Sequence, residues 1–192
     1  MKTLIILILS ICIACNNVTE QGFVNKAEAK NEVVNGVKEG KWVEYFVNEY
    51  GDTTLDSNHY FSYSLTVYKN GEPIGLERIY FKSGERMEVP HTNGRVNGLS
   101  KGYYKSGELK FEQSWENNRL NGMVKSYYKS GKLKSEAPFK DGFENGIEKQ
   151  YYESEILKSE TSYKNGDKGA TINYDETGKP TYSITIDSNL SQ

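Results

Sequence analysis

Apolar and polar residues alternate with a period of two along several short stretches of the chain. The stretch 132–139 shows this best, since its apolar or small residues alternate with charged ones. The same alternation occurs at 109–115 and at 157–163. A period of two predicts β-strands with one buried face. Because no long stretch after the first residues shows a convincing helical period, the chain is predicted to be all-β.

One sequence unit is written three times between Asn93 and Gly166. A pair of aromatic residues recurs every 24 residues, and in several units a glycine follows the pair after two residues. The pairs are Tyr103-Tyr104, Tyr127-Tyr128 and Tyr151-Tyr152, and the turn glycines are Gly84, Gly107 and Gly131. Glycine accepts the positive φ of a tight turn, so each unit is predicted to be a β-hairpin. A fixed period of this length indicates units that stack on their neighbours.

An Asx-Gly or Asn-Asn turn starts each unit, and a second glycine follows shortly after it. The predicted repeat domain is 35–187, with units at 35–69, 70–92, 93–116, 117–140, 141–164 and 165–187. The first unit carries about 11 extra residues between Asn48 and Lys69. The sixth unit is a degenerate cap, and 188–192 is a tail. The predicted fold is an elongated antiparallel β-meander of stacked hairpins of about 24 residues.

The first residues of the chain predict export. Lys2 is followed by an apolar run that ends in small residues at Ala14 and is short for a membrane span. Met1–Ala14 is therefore predicted to be a signal peptide. Cys15 follows directly, and this arrangement resembles a bacterial lipoprotein signal, in which the cysteine is acylated. The alternative is a plain secretory signal that is cut nearby.

The segment 15–34 mixes polar and charged residues without a sustained apolar period, and it is predicted to be a flexible tether. A tether would hold a lipid-anchored domain away from its membrane. The protein is thus expected in the cell envelope, exported and anchored to a bacterial membrane. In a Gram-negative cell we expect the outer membrane.

Cysteine usage and charge restrict the possible partners. Cys12 and Cys15 lie in or at the end of the signal, so no disulfide is expected in the exported domain. The formal charge is −2, and it becomes −3 when Lys2 leaves with the signal. Nucleic acid is not expected as a partner, because the chain has no basic excess that would displace counterions from phosphates.

The recurring order is a pair of aromatics, then x-x-Gly-x-Leu-Lys-x-Glu, then an aromatic before Asn-Gly-x-x-x-Gly. This order resembles the MORN-repeat variant found in bacterial antitoxins of the YwqK family. The resemblance covers 35–185 and implies stacked β-hairpins that form a long sheet with a binding role. Arg86, Pro90 and Glu155 depart from the pattern, where other units have the leucine, an unbroken strand and the turn glycine.

The paired tyrosines are the candidate binding residues. Successive residues of a strand point to opposite faces, so one member of each pair belongs to the packed face and the other to an outward column. We expect the outward column to be Tyr103, Tyr127 and Tyr151. The alternative is that both columns serve packing and strand propensity. The Lys-x-Glu positions are expected to form a solvated, charge-compensated face.

Catalysis finds little support in the sequence. His59 and His91 lie in different units, and none of the common nucleophile, phosphate-binding or zinc motifs occurs. The acidic segment 51–58 lacks the alternating ligands and central glycine of a calcium loop. We therefore predict no enzyme activity, no metal site and no cofactor.

Three functional hypotheses remain. The first is a non-enzymatic, lipid-anchored scaffold that binds another protein, with antitoxin or immunity activity against a toxin as its sharpest form. The second is a cell-envelope glycan binder, and the third is a purely structural envelope protein. Paired tyrosines also occur in glycan-binding repeats, but those repeats use abundant tryptophan, whereas this chain has Trp42 and Trp115 alone.

Overall fold

The computed structural model describes residues 22–181. The predicted signal peptide, Cys15, the end of the sixth unit and the tail 188–192 lie outside this range. Apart from one short 3-10 turn at Lys26–Glu28, the regular structure of the described residues is β. All strands join one open antiparallel sheet of 16 strands, which confirms the predicted all-β meander. In the described range no helix is long and apolar enough to cross a membrane.

The strands follow one another across the sheet almost in chain order. Their bounds are β1 Glu32–Val34, β2 Val37–Phe46, β3 Thr53–Thr54, β4 Ser62–Lys69, β5 Glu72–Phe81, β6 Arg86–Thr92, β7 Arg95–Val96, β8 Gly98–Tyr103, β9 Leu109–Glu116, β10 Arg119–Tyr127, β11 Leu133–Lys140, β12 Phe143–Glu144, β13 Gly146–Tyr151, β14 Leu157–Lys164, β15 Asp167–Tyr174 and β16 Pro180–Thr181. The short strands β3, β7 and β12 pair at the side of this path, with β2, β6 and β11.

Two kinds of turn alternate along the meander. At the start of a unit, Asn93 and Gly94 both have positive φ, 50° and 72°. This is the combination that a two-residue hairpin turn requires. Inside a unit, the turn glycines Gly84, Gly107 and Gly131 have φ of 94°, 104° and 83°. Glu155 takes the same place in the next unit with φ of 69°.

A one-residue bulge interrupts each regular hairpin beside its aromatic pair. In the hairpin of β10 and β11, Ser126 pairs with Ser135 but Tyr127 pairs with Leu133, so Lys134 is the extra residue. Lys110 and Lys158 are the extra residues of the neighbouring hairpins. Leu133 therefore pairs with a tyrosine instead of continuing the alternation that the sequence suggested.

The core lies around β4, where a segment before the sheet covers one face. Phe23 is 4% exposed and packs in one cluster with Leu65, which is 0% exposed. The Arg78 guanidinium donates a hydrogen bond of 3.2 Å to the Phe23 carbonyl. The sequence predicted a flexible tether over 15–34, but from Gly22 onward this segment has fixed contacts with the sheet. The reason is the isolated apolar side chain of Phe23, which a periodicity argument does not weigh.

The outer edge of β2 is closed by the same segment. The side-chain amide of Asn31 donates to the Val43 carbonyl at 3.1 Å and accepts from the Val43 N–H at 2.9 Å. The backbone N–H of Lys30 donates to the Lys41 carbonyl at 3.0 Å. Because exposed strand edges recruit other strands, these contacts protect the sheet from edge-to-edge pairing at its N-terminal end.

Candidate binding face

A row of alternating charges crosses one face of the sheet, with one residue on each successive main strand. The row is Arg78, Glu88, Lys101, Glu112, Lys125, Glu136, Lys149 and Glu160, and each pairs directly with the next across the strands. We call it the charge row, and we call this side of the sheet the charged face. The row continues on β2 and β4 with the apolar residues Val43 and Leu65.

Each lysine of the charge row lies nearest the glutamate of its own hairpin. The distance from the ammonium to the carboxylate is 3.6 Å for Lys101–Glu112 and 3.8 Å for Lys149–Glu160. Opposite charges that face each other on neighbouring strands favour this register, because a shifted register would separate them. The row therefore specifies how the hairpins align.

The first tyrosine of each pair lies on the charged face, next to the charge row. The hydroxyl of Tyr127 donates to Glu112 at 2.9 Å, and the hydroxyl of Tyr151 donates to Glu136 at 3.0 Å. Burial is the main reason why the pKa of each tyrosine rises to about 12, and the bonded carboxylate adds to it. Tyr103 repeats the arrangement with Glu88, at 2.9 Å. We call Tyr103, Tyr127 and Tyr151 the tyrosine row.

The second tyrosine of each pair links one unit to the next. The hydroxyl of Tyr104 donates to the Tyr127 carbonyl at 2.7 Å, and Tyr128 makes the same bond to the Tyr151 carbonyl. The bulged Lys134 places its ammonium 5.8 Å from the centre of the Tyr128 ring. These tyrosines are half-buried and stabilise the stacking of hairpins.

A third row on the charged face is apolar. Leu99, Met123 and Ile147 each precede a charge-row lysine by two residues, so they share its face. Their exposed fractions are 44%, 37% and 46%. Met123 pairs with Pro138 on the neighbouring strand. We call these three residues the apolar row, which places one partly exposed apolar side chain on this face in each regular unit.

The opposite face of the regular units is closed by its own side chains. Ser100 is almost fully buried and accepts a hydrogen bond of 2.8 Å from the Trp115 indole N–H. A Cβ on Gly102 would lie 2.2 Å from the Phe111 ring, so this ring already fills the space above the glycine. Ala137 is also buried. A partner would therefore meet more accessible side chains on the charged face.

The irregular units add cations to the tyrosines of the charged face. Arg86 stands where the regular units have leucine, and its guanidinium lies 3.7 Å from the centre of the Tyr103 ring. At the other end of the face, the ammonium of Lys26 lies 3.6 Å from the centre of the Tyr63 ring. The departure at Arg86 thus has a physical role, because it exchanges a leucine contact for a cation–π contact.

The predicted site residues occupy different places. Tyr103, Tyr127 and Tyr151 lie on one face as a row, but they are half-buried and their hydroxyls are bonded to carboxylates. The Lys-x-Glu positions do not form one solvated face: the glutamates belong to the charge row, and the lysines are the bulge residues. The two histidines stay apart, since His59 contacts Asp56 at 2.6 Å and His91 contacts Glu77 at 2.8 Å.

The apolar row was not among the site residues predicted from the sequence. Its signal was present, because Leu99, Met123 and Ile147 each follow the second glycine of a unit and recur every 24 residues. Alternation predicts that a strand has one buried face, but it does not show which apolar residues stay exposed. Their partners across the strands, among them Ser114 and Ser162, are small and leave them uncovered.

Two open polar clefts lie at the edge of the sheet where the units begin. Their volumes are about 350 Å³ and 400 Å³, and both are lined by Arg95 and Asn117. Arg119, Glu116 and Asp141 complete the first cleft. Within residues 22–181, no group of three or more His, Cys, Asp or Glu side chains could hold a metal ion.

Comparison with known families identifies the regular units. Three consecutive segments, 96–117, 120–141 and 144–165, match the model of the MORN repeat variant. These three units are therefore similar to the MORN repeat variant. MORN repeats indicate a scaffold that is often involved in binding, and the family is generally non-enzymatic. A search of curated proteins finds no match to this chain.

Proposed function

We propose that the protein is a non-enzymatic MORN-repeat scaffold, held at the cell envelope by a lipid on Cys15, that binds another protein with its charged face. The observation that carries this proposal is the apolar row, Leu99, Met123 and Ile147, which is exposed in three consecutive units beside the charge row.

The chemistry of the face favours a protein as the partner. Protein interfaces combine an apolar, aromatic centre with a polar rim. The apolar row and the tyrosine row flank the charge row, so apolar and charged contacts lie next to each other in every regular unit. The lysines and glutamates of the charge row alternate, which gives a partner a register to match without a large net charge.

A toxin is the sharpest form of the proposed partner. The antitoxin idea rests on the resemblance to the YwqK family, and the export signal at Met1–Cys15 favours a toxin that acts at the envelope. If a toxin gene lies next to this gene, co-expression is expected to restore growth. A toxin that kills equally with and without this protein would reject the antitoxin form and leave the scaffold form.

The binding face can be tested by photo-crosslinking in cells. A photoreactive amino acid at Met123 is expected to capture a defined partner band. The matched control is Leu55, which is fully exposed in the insertion of the first unit, away from the three rows. Capture at Leu55 but not at Met123 would place the interface elsewhere.

Substitutions then separate the rows. The triple exchange Leu99→Ser, Met123→Ser and Ile147→Ser is expected to weaken binding of the captured partner at least about tenfold, since a few central side chains dominate most interfaces. Exchanging Tyr103, Tyr127 and Tyr151 for Phe keeps the rings and removes the hydroxyls, and the same exchange at Tyr104, Tyr128 and Tyr152 is its control. If the folded apolar-row variant and the folded tyrosine-row variant both bind the partner as well as the control variant does, the charged face is excluded as the binding face.

The anchor has its own test. Cys15→Ser is expected to remove metabolic fatty-acid label and to leave an unprocessed or mislocalised protein, because acyl chains supply about 0.8 kcal/mol per buried methylene. A Cys15→Ser protein that still carries the label and still fractionates with membrane would reject the lipoprotein assignment.

The polar clefts favour a glycan as the second candidate ligand. Arg95 and Asn117 line both clefts, and guanidinium and amide groups bond sugar hydroxyls well. Arg95→Ala combined with Arg119→Ala is expected to abolish retention of the protein on cell-wall polysaccharide from the bacterium that produces it. Retention that depends instead on the apolar row, or no retention by the wild type, would reject this candidate.

A further inference from the structure

Three tyrosines surround a lysine ammonium at the N-terminal end of the charged face. Tyr45, Tyr60 and Tyr63 have ring centres 5.5 to 6.0 Å from one another. The Lys26 ammonium lies 3.6 Å from the centre of the Tyr63 ring, 5.2 Å from Tyr45 and 5.4 Å from Tyr60. We call the three rings the tyrosine cage.

Aromatic rings are the contacts of the Lys26 ammonium within the described residues. Across residues 22–181, no carboxylate forms an ion pair with Lys26, whereas Lys41 pairs with Glu28 in the same region. Burial lowers the pKa of Lys26. Aromatic faces compensate such a charge through their negative quadrupole.

The rings of the cage are held in place by contacts with one another and with Tyr80. Tyr63 is stacked on Tyr80, with ring centres 5.0 Å apart, and Tyr60 meets Tyr63 edge to face. Tyr45 and Tyr63 are direct partners across β2 and β4. Tyr60 comes from the insertion of the first unit, which the regular units lack. The insertion therefore supplies the ring that turns a tyrosine pair into a cage.

Lys26 fills the cage off centre. Its ammonium is close to one ring and more than 5 Å from the other two. A quaternary ammonium is wider and spreads its charge over methyl groups, so it contacts several ring faces at once and loses less hydration. Such a group matches the three rings better than a primary ammonium does.

We propose that the tyrosine cage is a binding site for an organic cation with a quaternary ammonium group, and that Lys26 is its internal competitor. Binding requires only that the Lys26 side chain leaves, because Phe23 anchors the segment independently. This site lies outside the regular units and goes beyond the proposed protein-binding function.

The proposal is tested by titrating choline into the exported domain and following it by calorimetry. Lys26→Ala is expected to bind choline about tenfold more tightly than the wild type, since a tethered competitor has been removed. Adding Tyr60→Ala to Lys26→Ala is expected to abolish the binding. Tyr60 is chosen because it lies before β4 and outside the buried cluster, so the fold is retained.

Two controls isolate the cation. The uncharged alcohol in which carbon replaces the choline nitrogen is expected not to bind. Lys30→Ala removes an exposed lysine of the same segment and is expected to bind choline like the wild type. The proposal would be overturned if the folded Lys26→Ala protein does not bind choline or binds the uncharged alcohol equally well. Choline binding that persists after Tyr60→Ala would also overturn it.

A parallel titration with phosphocholine distinguishes a lipid headgroup from a free cation. The Lys82 ammonium lies 5.8 Å from the centre of the Tyr60 ring, within reach of a phosphate beside the cage. Tighter binding of phosphocholine that Lys82→Ala removes would assign the headgroup as the ligand source. Equal binding of the two compounds would assign the free cation.

Discussion

The charged face of the sheet is covered in one region of this protein and open in another. Over β2, β4 and β5 the charged face is covered by the segment from Phe23 to Ala29. Over β8 to β14 the structure places no second layer on it. The row that carries Val43 and Leu65 in the first region carries alternating lysine and glutamate in the second. The residues of this row therefore decide whether the face needs a cover.

The physical reason is solvation. An apolar pair such as Val43 and Leu65 gains stability only when its surface is removed from water, and Phe23 accomplishes this. The charged pairs of the regular units remain partly hydrated, and the tyrosine rings beside them supply the buried area. A covered apolar end and an open charged middle therefore stabilise one continuous sheet.

The largest expected effect tests the covered region against the open one. Leu65→Ala is expected to lower the free energy of unfolding by about 2–5 kcal/mol, because it leaves a cavity at a fully buried position. Met123→Ala on the open part is expected to cost no more than about 0.5 kcal/mol, as for most surface changes. Urea unfolding measures both. Equal losses would show that the two regions do not differ in packing.

The second prediction concerns the turns of the open region. Gly131→Val is expected to destabilise the protein by about 1–3 kcal/mol, because valine is strained at the observed φ of 83°. No neighbouring atom lies within 4 Å of the added Cβ, so the effect isolates backbone strain. Gly107→Val has the same open surroundings and serves as its repeat. Unchanged melting temperatures for both would contradict the turn assignment.

The third prediction uses the natural exception among these turns. Glu155→Gly is expected to stabilise the protein by about 1 kcal/mol, since glycine tolerates the observed φ of 69° without a side-chain penalty. The exchange also removes an exposed ion pair of 3.4 Å with Lys132, which contributes little. Thermal unfolding measures the gain. A loss of stability would mean that the ion pair outweighs the backbone strain.

These turns show what periodicity alone predicts. The hairpins, their order and the turn positions follow from Gly107, Gly131 and the Asx-Gly pairs, because each has a local conformational cause. The charge row was not predictable, since it joins Lys101 to Glu112 through a register that a bulge at Lys110 sets. Alternation of residue types is visible in a sequence, but a single extra residue changes which face follows it.

The cover over the first region was missed for a different reason. Phe23 is one apolar residue in a polar stretch, and its burial depends on Leu65, which is distant in the chain. The tyrosine row was expected to be an outward binding column. Its three residues lie half-buried on the open part of the charged face. Its hydroxyl bonds to Glu88, Glu112 and Glu136 depend on pairing between strands of different units, which local patterns do not contain.

The smallest expected effect concerns pH and the open region. The pKa of Tyr127 is raised to about 12 by burial and by Glu112, while a tyrosine of the unfolded chain titrates near 10. Its stabilising contribution is therefore complete below about pH 10 and is lost as the pH rises toward 12. Glu112→Gln is expected to lower this pKa, as phenolate absorbance would show. An unchanged titration curve would exclude the carboxylate as a cause.

The charge row also sets the step by which this sheet can change its length. Each hairpin contributes one lysine and one glutamate, so loss of a complete unit such as 117–140 would bring Lys149 beside Glu112, again with opposite signs. Loss of one strand would instead place like charges next to each other. Duplication and deletion of whole hairpins thus preserve the pairing of every neighbour. The fold can be lengthened or shortened in modules, and the charge row disfavours the loss or gain of half a module.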